Sequence, residues 1–293
     1  MAFDPKYGWI PKKADHELLY LSDYVATGDV VVPTPPSTVD WTERVPASAL
    51  NILGNDGAGD CVEAGTYHAL QSLTGNDFVP DAQQALDWYS TLTGYNPNDP
   101  STDQGTDIPT ALDWWMTNAL PGTNSQLGAY FSVDTNDQAQ LALALELGGV
   151  LLVGGVIPKS AETQFNQGQE WVPVRHSPQA GGHCWTVDEI DTLKGTGITW
   201  GAYQTWSWAF WQQCVSESYV LFAEDWIQPD GTAPNGILWS VMNTDIQSLY
   251  GKPGPFIDPT GTPPPVVTPP PVSSYTPAQA ISAIQGIINS TAD

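Results

Sequence analysis

The chain of 293 residues is 41% hydrophobic and contains 13 tryptophans, so it has enough apolar material for one large core, and wholesale disorder is excluded. Eight Lys and Arg residues against 32 Asp and Glu give a formal net charge of −24. Such a surface repels phosphate backbones and anionic lipid. We therefore expect neither a nucleic acid nor a membrane as a partner.

The sequence contains neither a spanning segment nor an export signal. No apolar run approaches the roughly 20 residues that cross a bilayer, and the first residues lack the basic start and apolar stretch of a signal peptide. We expect a protein that stays, during its synthesis, in the cytoplasm of the cell that makes it. The three cysteines, Cys61, Cys184 and Cys214, are too few and odd in number for a disulfide framework, so at least one thiol is free.

Composition divides the chain into four regions. Residues 1–38 form an N-terminal arm, and residues 39–250 carry the periodic pattern of a folded domain. The proline-rich stretch 251–275 favours an extended polyproline II spacer. In 276–293 the apolar residues recur at helical spacing, which predicts a short helix that needs a surface to dock on.

Four helices are expected in the first half of the domain. The segment DCVEAGTYHALQSL predicts a helix with Asp60 as N-cap and Glu63 in the capping-box position, which places Cys61 in the first helical turn. The other three helices are predicted at 81–93, 107–119 and 137–147.

Strands are expected in the second half of the domain. Four apolar runs predict them at 150–157, 183–190, 198–205 and 218–225. The turn residues DTLKGTG separate the second from the third. Helices followed by strands indicate an α+β fold.

Cys61 and His183 are the side chains in which we expect nucleophilic catalysis. The N-terminus of a helix favours the thiolate, the nucleophilic form of cysteine. Of the four histidines, only His183 follows a glycine pair directly into an apolar strand, a rigid place for a general base. Cys184 should point to the opposite side of that strand. Cys184 and Cys214, the latter in a polar loop, are interpreted as packing or incidental thiols.

No metal ion or cofactor is expected. Neither CxxC nor HExxH occurs, and the cysteines and histidines have no zinc spacing. The loop NPNDPSTDQGTD offers Asp99, Asp103 and Asp107 but lacks the calcium-loop pattern. We interpret it as a solvated acidic turn with a helix cap.

Several segments resemble papain-like cysteine peptidases, and they occur in the family's order. VDWTERVP (39–46) and GNDGAGDC (54–61) resemble the mature start and nucleophile loop, and GGHCWTVDEID resembles the histidine strand. DQGTDIPTALDWW (103–115) and LALALELGGVLLVGGVI (141–157) are similar to the next helix and to the passage into the second half. YQTWSWAFWQQCVSESYVLFAEDW (203–226) resembles the family's asparagine, serine, tryptophan, glycine stretch and its closing strand. The resemblance implies a two-lobed fold, a helical lobe followed by an antiparallel β lobe.

The resemblance also implies a reaction, the hydrolysis of an amide bond. Cys61 would be the nucleophile, and His183 its general base and later general acid. Asn55, together with the backbone N–H of Cys61, would hold the oxyanion.

Three further positions take family roles under this resemblance. Gln204 would fill the place of the asparagine that orients the histidine. Trp206 would shield the catalytic pair from water and line the substrate site with Gly105.

Two functions follow from these observations. The first is a papain-like thiol hydrolase that cleaves peptide bonds and is carried as a virion component, since the acidic, tryptophan-rich, lysine-poor composition resembles bacteriophage proteins. The second is a catalytically weak or inactive structural subunit that decorates a viral capsid or tail and docks through residues 1–38 and 253–293. It is motivated by the spacer and the predicted docking helix, and by two departures from the family, Asn55 in place of glutamine and Gln204 in place of asparagine.

Overall fold

A computed structural model describes residues 5–22 and 34–226. These residues lie in the first of two units of the chain, Met1–Gly261. The predicted spacer 251–275, the predicted helix 276–293 and the predicted domain boundary at residue 250 lie outside the described residues.

Six α-helices form within the described residues. The first four match the predicted helices within one or two residues, and the last two are absent from the sequence prediction. They are α1 Cys61–Leu73, α2 Ala82–Thr93, α3 Ile108–Thr117, α4 Gln138–Gly148, α5 Lys159–Asn166 and α6 Trp208–Cys214. Short 3-10 turns occupy Thr42–Arg44, Ala47–Ala49, Pro100–Thr102 and Glu224–Trp226.

Local capping explains why two of these helices could be predicted. The Asp81 side chain accepts the Gln84 N–H while the Gln84 side chain accepts the Asp81 N–H, and α2 ends at Gly94 with φ 77°. Asp107 caps α3 by accepting the Thr110 N–H at 3.0 Å. Each of these signals lies within a few residues of the helix end that it defines.

The capping box predicted for α1 is wrong. Asp60 is the N-cap residue, but its side chain makes no capping hydrogen bond. Glu63 instead accepts the hydroxyl proton of Thr106 at 2.7 Å. Every residue of α1 is buried, so both carboxyl groups lie inside the protein, where a long-range partner competes with the local cap.

In the part of the chain that the structure describes, eight strands form two antiparallel sheets of four, in the orders β1-β5-β6-β7 and β2-β8-β3-β4. Their bounds are β1 Val39–Asp40, β2 Leu127–Ser132, β3 Leu151–Pro158, β4 Gln179–Val187, β5 Glu189–Ile190, β6 Lys194–Thr199, β7 Ala202–Ser207 and β8 Val215–Ala223. The predicted strands at 150–157 and 218–225 correspond to β3 and β8. The strand predicted at 183–190 is β4 followed by β5, and β2 is absent from the sequence prediction.

The strand predicted at 198–205 is wrong, because this segment is a hairpin. Trp200 and Gly201 have φ of 46° and 76°, and they reverse the chain between β6 and β7. Two consecutive residues with positive φ form the tight turn whose twist suits a hairpin. The apparent single strand therefore consists of the end of β6 and the start of β7.

The side chains of β4 face two apolar clusters. Trp185 belongs to a cluster that includes Trp171 and Trp206, whereas Cys184 belongs to a cluster that includes Cys61 on α1. The ring of His183 stacks with that of Trp185, so the prediction that Cys184 points away from His183 is confirmed.

The loop predicted around Cys214 is wrong. Cys214 is the last residue of α6 and is buried, so this thiol packs within the core. Cys61, Cys184 and Cys214 are all free thiols. Among the residues described, no helix has the length and apolar character needed to cross a membrane.

Candidate active site

Cys61 opens α1 with its side chain only 1% exposed. The backbone N–H groups of Gly8 and Cys184 face its sulfur and act to lower the pKa of the thiol. The sulfur therefore lies at the peptide bond that follows His183, so the fold brings the two predicted catalytic residues into one neighbourhood. Burial is the main cause that raises the pKa of the thiol to about 12, and nearby Glu63 acts in the same direction. In this state the thiol is protonated at neutral pH and is a poor nucleophile.

His183 lies on β4 with its imidazole only 1% exposed. Its Nε2 lies 2.6 Å from the hydroxyl oxygen of Thr199, whereas Nδ1 is buried without a hydrogen-bond partner. Burial lowers the pKa of the imidazole to about 3. The ring is therefore neutral, which is the state a general base requires.

The residue that contacts His183 is Thr199, and the prediction that Gln204 orients the histidine is wrong. The Gln204 side-chain N–H groups donate to the carbonyl oxygens of Gln169 at 2.9 Å and Thr205 at 2.7 Å. The reason is the hairpin: β6 packs against β4, while β7 is the next strand out in its sheet. Gln204 is thus one strand too far from the imidazole.

The same hairpin displaces the predicted shielding tryptophan. Trp206 is fully buried on β7 and packs near Trp185 at 6.2 Å between ring centroids. Trp200 stacks on the His183 ring instead, with centroids 4.5 Å apart and planes 28° apart. The glycine that follows Trp200, and does not follow Trp206, is the sequence signal that matches the family's tryptophan-glycine pair.

Asn55 lies beside the N-cap of α1, with its amide engaged in its own loop. Its Nδ2 donates to the Ala58 carbonyl at 3.1 Å and to the Asp60 carboxylate at 3.2 Å. An amide nitrogen has two protons, and both are used here. An oxyanion role for Asn55 therefore requires a rearrangement of this loop.

Two buried carboxyl groups lie near Cys61. Burial raises the pKa of Asp60 well above its ordinary value, and Glu63 raises it further. Burial raises the pKa of Glu63 to about 7, against a lowering by the Thr106 hydroxyl. One oxygen of each carboxyl is buried without a hydrogen-bond partner. Ionisation of either group is therefore costly while the site stays dry.

The N-terminal arm crosses this site. We refer to residues 5–12 as the plug segment. Its backbone bonds one wall of the site through Thr106, whose N–H donates to the Gly8 carbonyl at 2.8 Å and whose carbonyl accepts the Ile10 N–H at 3.2 Å. It bonds the opposite wall through the Trp9 N–H and the Gly182 carbonyl at 3.1 Å. The plug segment is thus held between the helical residues and β4, directly over Cys61.

Three glycines make this close approach possible. A Cβ on Gly8 would lie 1.5 Å from the Gly59 carbonyl oxygen, and a Cβ on Gly105 would lie 2.0 Å from the Gly8 carbonyl oxygen. Only glycine fits at such distances. Gly105, predicted to bind substrate, therefore contacts the backbone of the plug segment.

Two aromatic side chains anchor the plug segment on either side of Gly8. The Tyr7 hydroxyl donates to Glu162, and its ring meets the His183 ring edge-on with centroids 6.2 Å apart. The Trp9 indole N–H donates to the Glu217 carboxylate at 2.6 Å. From the sequence the arm is predicted to dock on a partner, whereas in the structure it contacts the chain's own site.

The acidic loop takes the predicted structural role. Asp99 accepts the Ser101 N–H at 3.1 Å and begins a 3-10 turn, and Asp107 caps α3. Asp103 accepts hydrogen bonds from the Gly59 N–H and the Tyr89 hydroxyl. Within residues 5–22 and 34–226, no group of three His, Cys, Asp or Glu side chains could hold a metal ion.

No protein-family model matches the chain, and no curated protein matches it. Solved structures of cysteine proteases do match the chain. Xylellain from Xylella fastidiosa superposes with a TM-score of 0.54 at 16% identity, over 76% of this chain and 97% of xylellain. ProCathepsin B S9 from Trypanosoma congolense has a TM-score of 0.50 at 10% identity, over 75% of this chain and 87% of that one. The protease and lectin-like domains of Cwp84 from Clostridium difficile give 0.50 at 13% identity, over 74% and 55%.

The chain therefore has the papain-like cysteine protease fold, as the sequence resemblance predicts. It combines a helical part with antiparallel sheets, and it carries a cysteine at the start of α1 and a histidine on β4.

Proposed function

We propose that the protein is a papain-like thiol hydrolase that cleaves peptide bonds, with Cys61 as nucleophile and His183 as general base, and that the described structure is its latent state. The observation that carries the proposal is the plug segment. Its backbone bonds both walls of the site, and the Gly8 N–H faces the Cys61 sulfur. A groove that binds an extended chain over a thiol suits a peptide substrate.

Departure of the plug segment would activate the pair. Burial is the largest cause of the raised thiol pKa and of the lowered imidazole pKa, so solvent access moves both toward their ordinary values. Thr199 at Nε2 leaves Nδ1 of His183 as the nitrogen available for proton transfer. The thiolate then attacks the substrate carbonyl carbon, and the imidazolium gives its proton to the leaving amine. Water attacks the resulting thioester, and His183 accepts its proton.

The plug segment binds in an orientation that resists cleavage. Gly8 turns its N–H toward the sulfur and its carbonyl oxygen toward the Thr106 N–H. In a trans peptide the Tyr7 carbonyl points opposite to the Gly8 N–H, so a sulfur that faces this N–H lies at the edge of the peptide. Attack on a carbonyl carbon comes from the face of the peptide, so the plug segment acts as an inhibitor rather than a substrate.

The proposal is tested by the reactivity of Cys61 in a full-length Gly8→Ala variant. Because the new Cβ would lie 1.5 Å from the Gly59 oxygen, the plug segment cannot keep its place. We expect iodoacetamide to label Cys61 at least ten times faster than in the wild type, and the variant to hydrolyse a casein-derived peptide mixture. Gly57→Ala is the matched control, since its Cβ would lie at an ordinary 3.6 Å from the Gly54 oxygen.

Two results would overturn the proposal. One is a Gly8→Ala protein with a freely labelled Cys61 that cleaves nothing. The other is hydrolysis that persists in the Gly8→Ala, Cys61→Ser double variant. Thermal unfolding of each variant, followed by circular dichroism, checks that the domain remains folded.

A second candidate function is a catalytically weak or inactive structural subunit of a bacteriophage particle. It is favoured by Thr199 in place of an orienting amide and by the engaged amide of Asn55. The virion location, which the hydrolase proposal shares, rests on the composition and on residues 253–293. Deletion of 253–293 should abolish incorporation into particles and leave the domain folded. Particles with full occupancy of the truncated protein would refute that location.

A further inference from the structure

Cys184 is a second buried thiol beside Cys61. The backbone N–H of Cys184 faces the Cys61 sulfur, and the side chain of Cys184 belongs to the same apolar cluster as Cys61. The residues are 2% and 1% exposed respectively, and both are free thiols. The hydrolysis of an amide bond uses Cys61 alone, so it leaves the Cys184 thiol without a chemical role.

A glycine on α1 brings the Cys184 thiol close to the start of this helix. Gly65 follows Cys61 by about one helical turn and lies on the same face of α1. A Cβ on Gly65 would lie only 3.3 Å from the Cys184 sulfur and 3.2 Å from a methyl group of Leu152. The missing side chain therefore allows α1 to pack closely against β4. The Cys184 sulfur lies between the two elements, next to the first turn of α1.

The electrostatics also couple Cys61 to Cys184. Burial is the main cause that raises the pKa of Cys184, and Cys61 is the next cause. An interaction between two charges weakens with distance, so this effect agrees with the close packing. Cys214, the third thiol, lies on α6 in the apolar cluster that contains Trp206. The structure therefore pairs Cys61 with Cys184 and leaves Cys214 apart.

We propose that Cys184 is a resolving thiol that forms a disulfide with Cys61 after hydrogen peroxide, or another small hydroperoxide, has oxidised Cys61. The inference rests on one part of the proposed function, the release of the plug segment. That release gives the Cys61 sulfur access to solvent and restores the thiolate, which is the form of cysteine that peroxides oxidise.

The reaction has two balanced steps. The Cys61 thiolate attacks one oxygen of hydrogen peroxide and the O–O bond breaks, which gives a sulfenic acid on Cys61 and hydroxide. The Cys184 sulfur then attacks the Cys61 sulfur and the S–O bond breaks, and the oxygen leaves as water with the Cys184 proton. The two thiols lose two electrons in total, and the peroxide is reduced to water. The disulfide blocks the further oxidation of Cys61 to a sulfinic acid, which thiol reductants do not reverse.

The test uses the full-length Gly8→Ala variant, which is exposed to hydrogen peroxide until iodoacetamide no longer labels Cys61. Mass spectrometry of the unreduced digest should then show a cross-link between the peptides that carry Cys61 and Cys184. Dithiothreitol should restore the labelling of Cys61. In the wild type, in which the plug segment covers the thiol, the same cross-link should form at least ten times more slowly.

The Cys184→Ser substitution in the Gly8→Ala background tests the resolving role. Without a resolving thiol, Cys61 should proceed to the sulfinic or sulfonic acid, so dithiothreitol should restore at least fivefold less labelling. Cys214→Ser is the matched control, and it should keep both the cross-link and the recovery. Circular dichroism checks that each variant remains folded. The cross-link itself is measured in proteins that keep all three cysteines, so it does not depend on the folding of the serine variants.

Two results would overturn the inference. One is loss of Cys61 labelling without a cross-link to Cys184, in the Gly8→Ala variant and in the wild type alike. The other is equal recovery with dithiothreitol in the Cys184→Ser and Cys214→Ser variants. Neither measurement requires the cleavage of a peptide. A Gly8→Ala protein that cleaves nothing and forms the cross-link would therefore refute the hydrolase proposal and support this inference.

Discussion

Trp9→Ala removes the largest side chain of the plug segment. The indole is only 4% exposed and donates to Glu217 at 2.6 Å. Truncation of a buried tryptophan to alanine costs roughly 3–5 kcal/mol. The indole stabilises the plug segment in its bound position. We therefore expect its loss to shift the equilibrium from the bound to the released plug segment by this free energy. At about 1.4 kcal/mol per factor of ten, the open fraction should rise by roughly a hundredfold to a few thousandfold.

Alkylation of Cys61 is the assay that reads this opening. Burial raises the thiol pKa from 9.0 to about 12, which lowers the thiolate fraction near pH 8 by about a thousandfold. Opening restores that reactivity, so the labelling rate should rise at least a hundredfold in Trp9→Ala. Mass spectrometry of the labelled peptide distinguishes Cys61 from Cys184 and Cys214.

Ile10→Ala is the matched control for this prediction. Ile10 belongs to the same segment and is 42% exposed, and the substitution keeps its backbone hydrogen bond to Thr106. We expect its labelling rate to stay within threefold of the wild type. If Trp9→Ala and Ile10→Ala react at the same rate while both remain folded, the plug segment does not protect the thiol.

Three further predictions follow. Thr199→Ala in the Gly8→Ala background removes the 2.6 Å contact with His183, so kcat should fall roughly 10- to 100-fold while KM changes little, and Thr199→Ser should restore most of it. Gly154→Ala places a Cβ 2.1 Å from the Trp9 indole nitrogen, so it should expose Cys61 to iodoacetamide as Trp9→Ala does. Glu63→Gln should stabilise the protein more as the pH rises from about 4.5 to 7, because burial raises the pKa of Glu63 to about 7 and its ionised form costs about 1.4 kcal/mol per pH unit across this window.

Each of these predictions has its own measurement and contrary outcome. Steady-state kinetics would contradict the first if Thr199→Ala raised KM and left kcat intact. Slow labelling of Cys61 in a folded Gly154→Ala protein would show that the Trp9 indole does not pack against Gly154. For Glu63 the sign is fixed: a carboxyl with a raised folded-state pKa loses stability as the pH rises, so urea unfolding should give a Glu63→Gln advantage that is small near pH 4.5 and larger near pH 7. A stability gain of Glu63→Gln that does not change with pH would show that ionisation of Glu63 is not its cause.

The helices could be predicted because their signals are local. Asp81 and Gly94 mark the two ends of α2 within the segment itself. The start of α1 is also correctly predicted, but its capping box is wrong because Glu63 bonds Thr106, 43 residues away. Periodicity and caps reveal where an element begins, and they do not reveal which long-range partner a buried polar side chain takes.

In the candidate site too, the residues with local sequence signals could be predicted, and those placed by long-range contacts could not. Cys61 and His183 are recognisable because each sits in a distinctive local setting, a helix start and a strand after two glycines. The partner of His183 depends on which strand lies beside β4, and that depends on the turn at Trp200 and Gly201. A residue three positions past the turn, such as Gln204, is carried to the outer strand. When the hairpin is mistaken for one strand, Gln204 is therefore assigned to His183 in the place that Thr199 occupies in the structure.

The plug segment lay beyond sequence reasoning for a different reason. In Tyr7-Gly8-Trp9 the glycine looks like an ordinary turn residue, and the aromatic pair looks like a surface for a partner. The reason for the glycine at position 8 becomes clear only from the fold, in which the Gly8 backbone packs closely against Gly59 and Gly105 near the Cys61 thiol. These contacts join segments about 50 and about 100 residues apart, and in each the informative feature is a missing side chain. Absent atoms leave no periodicity in a sequence, so this contact becomes visible only once the fold has placed the backbone of the plug segment against Cys61.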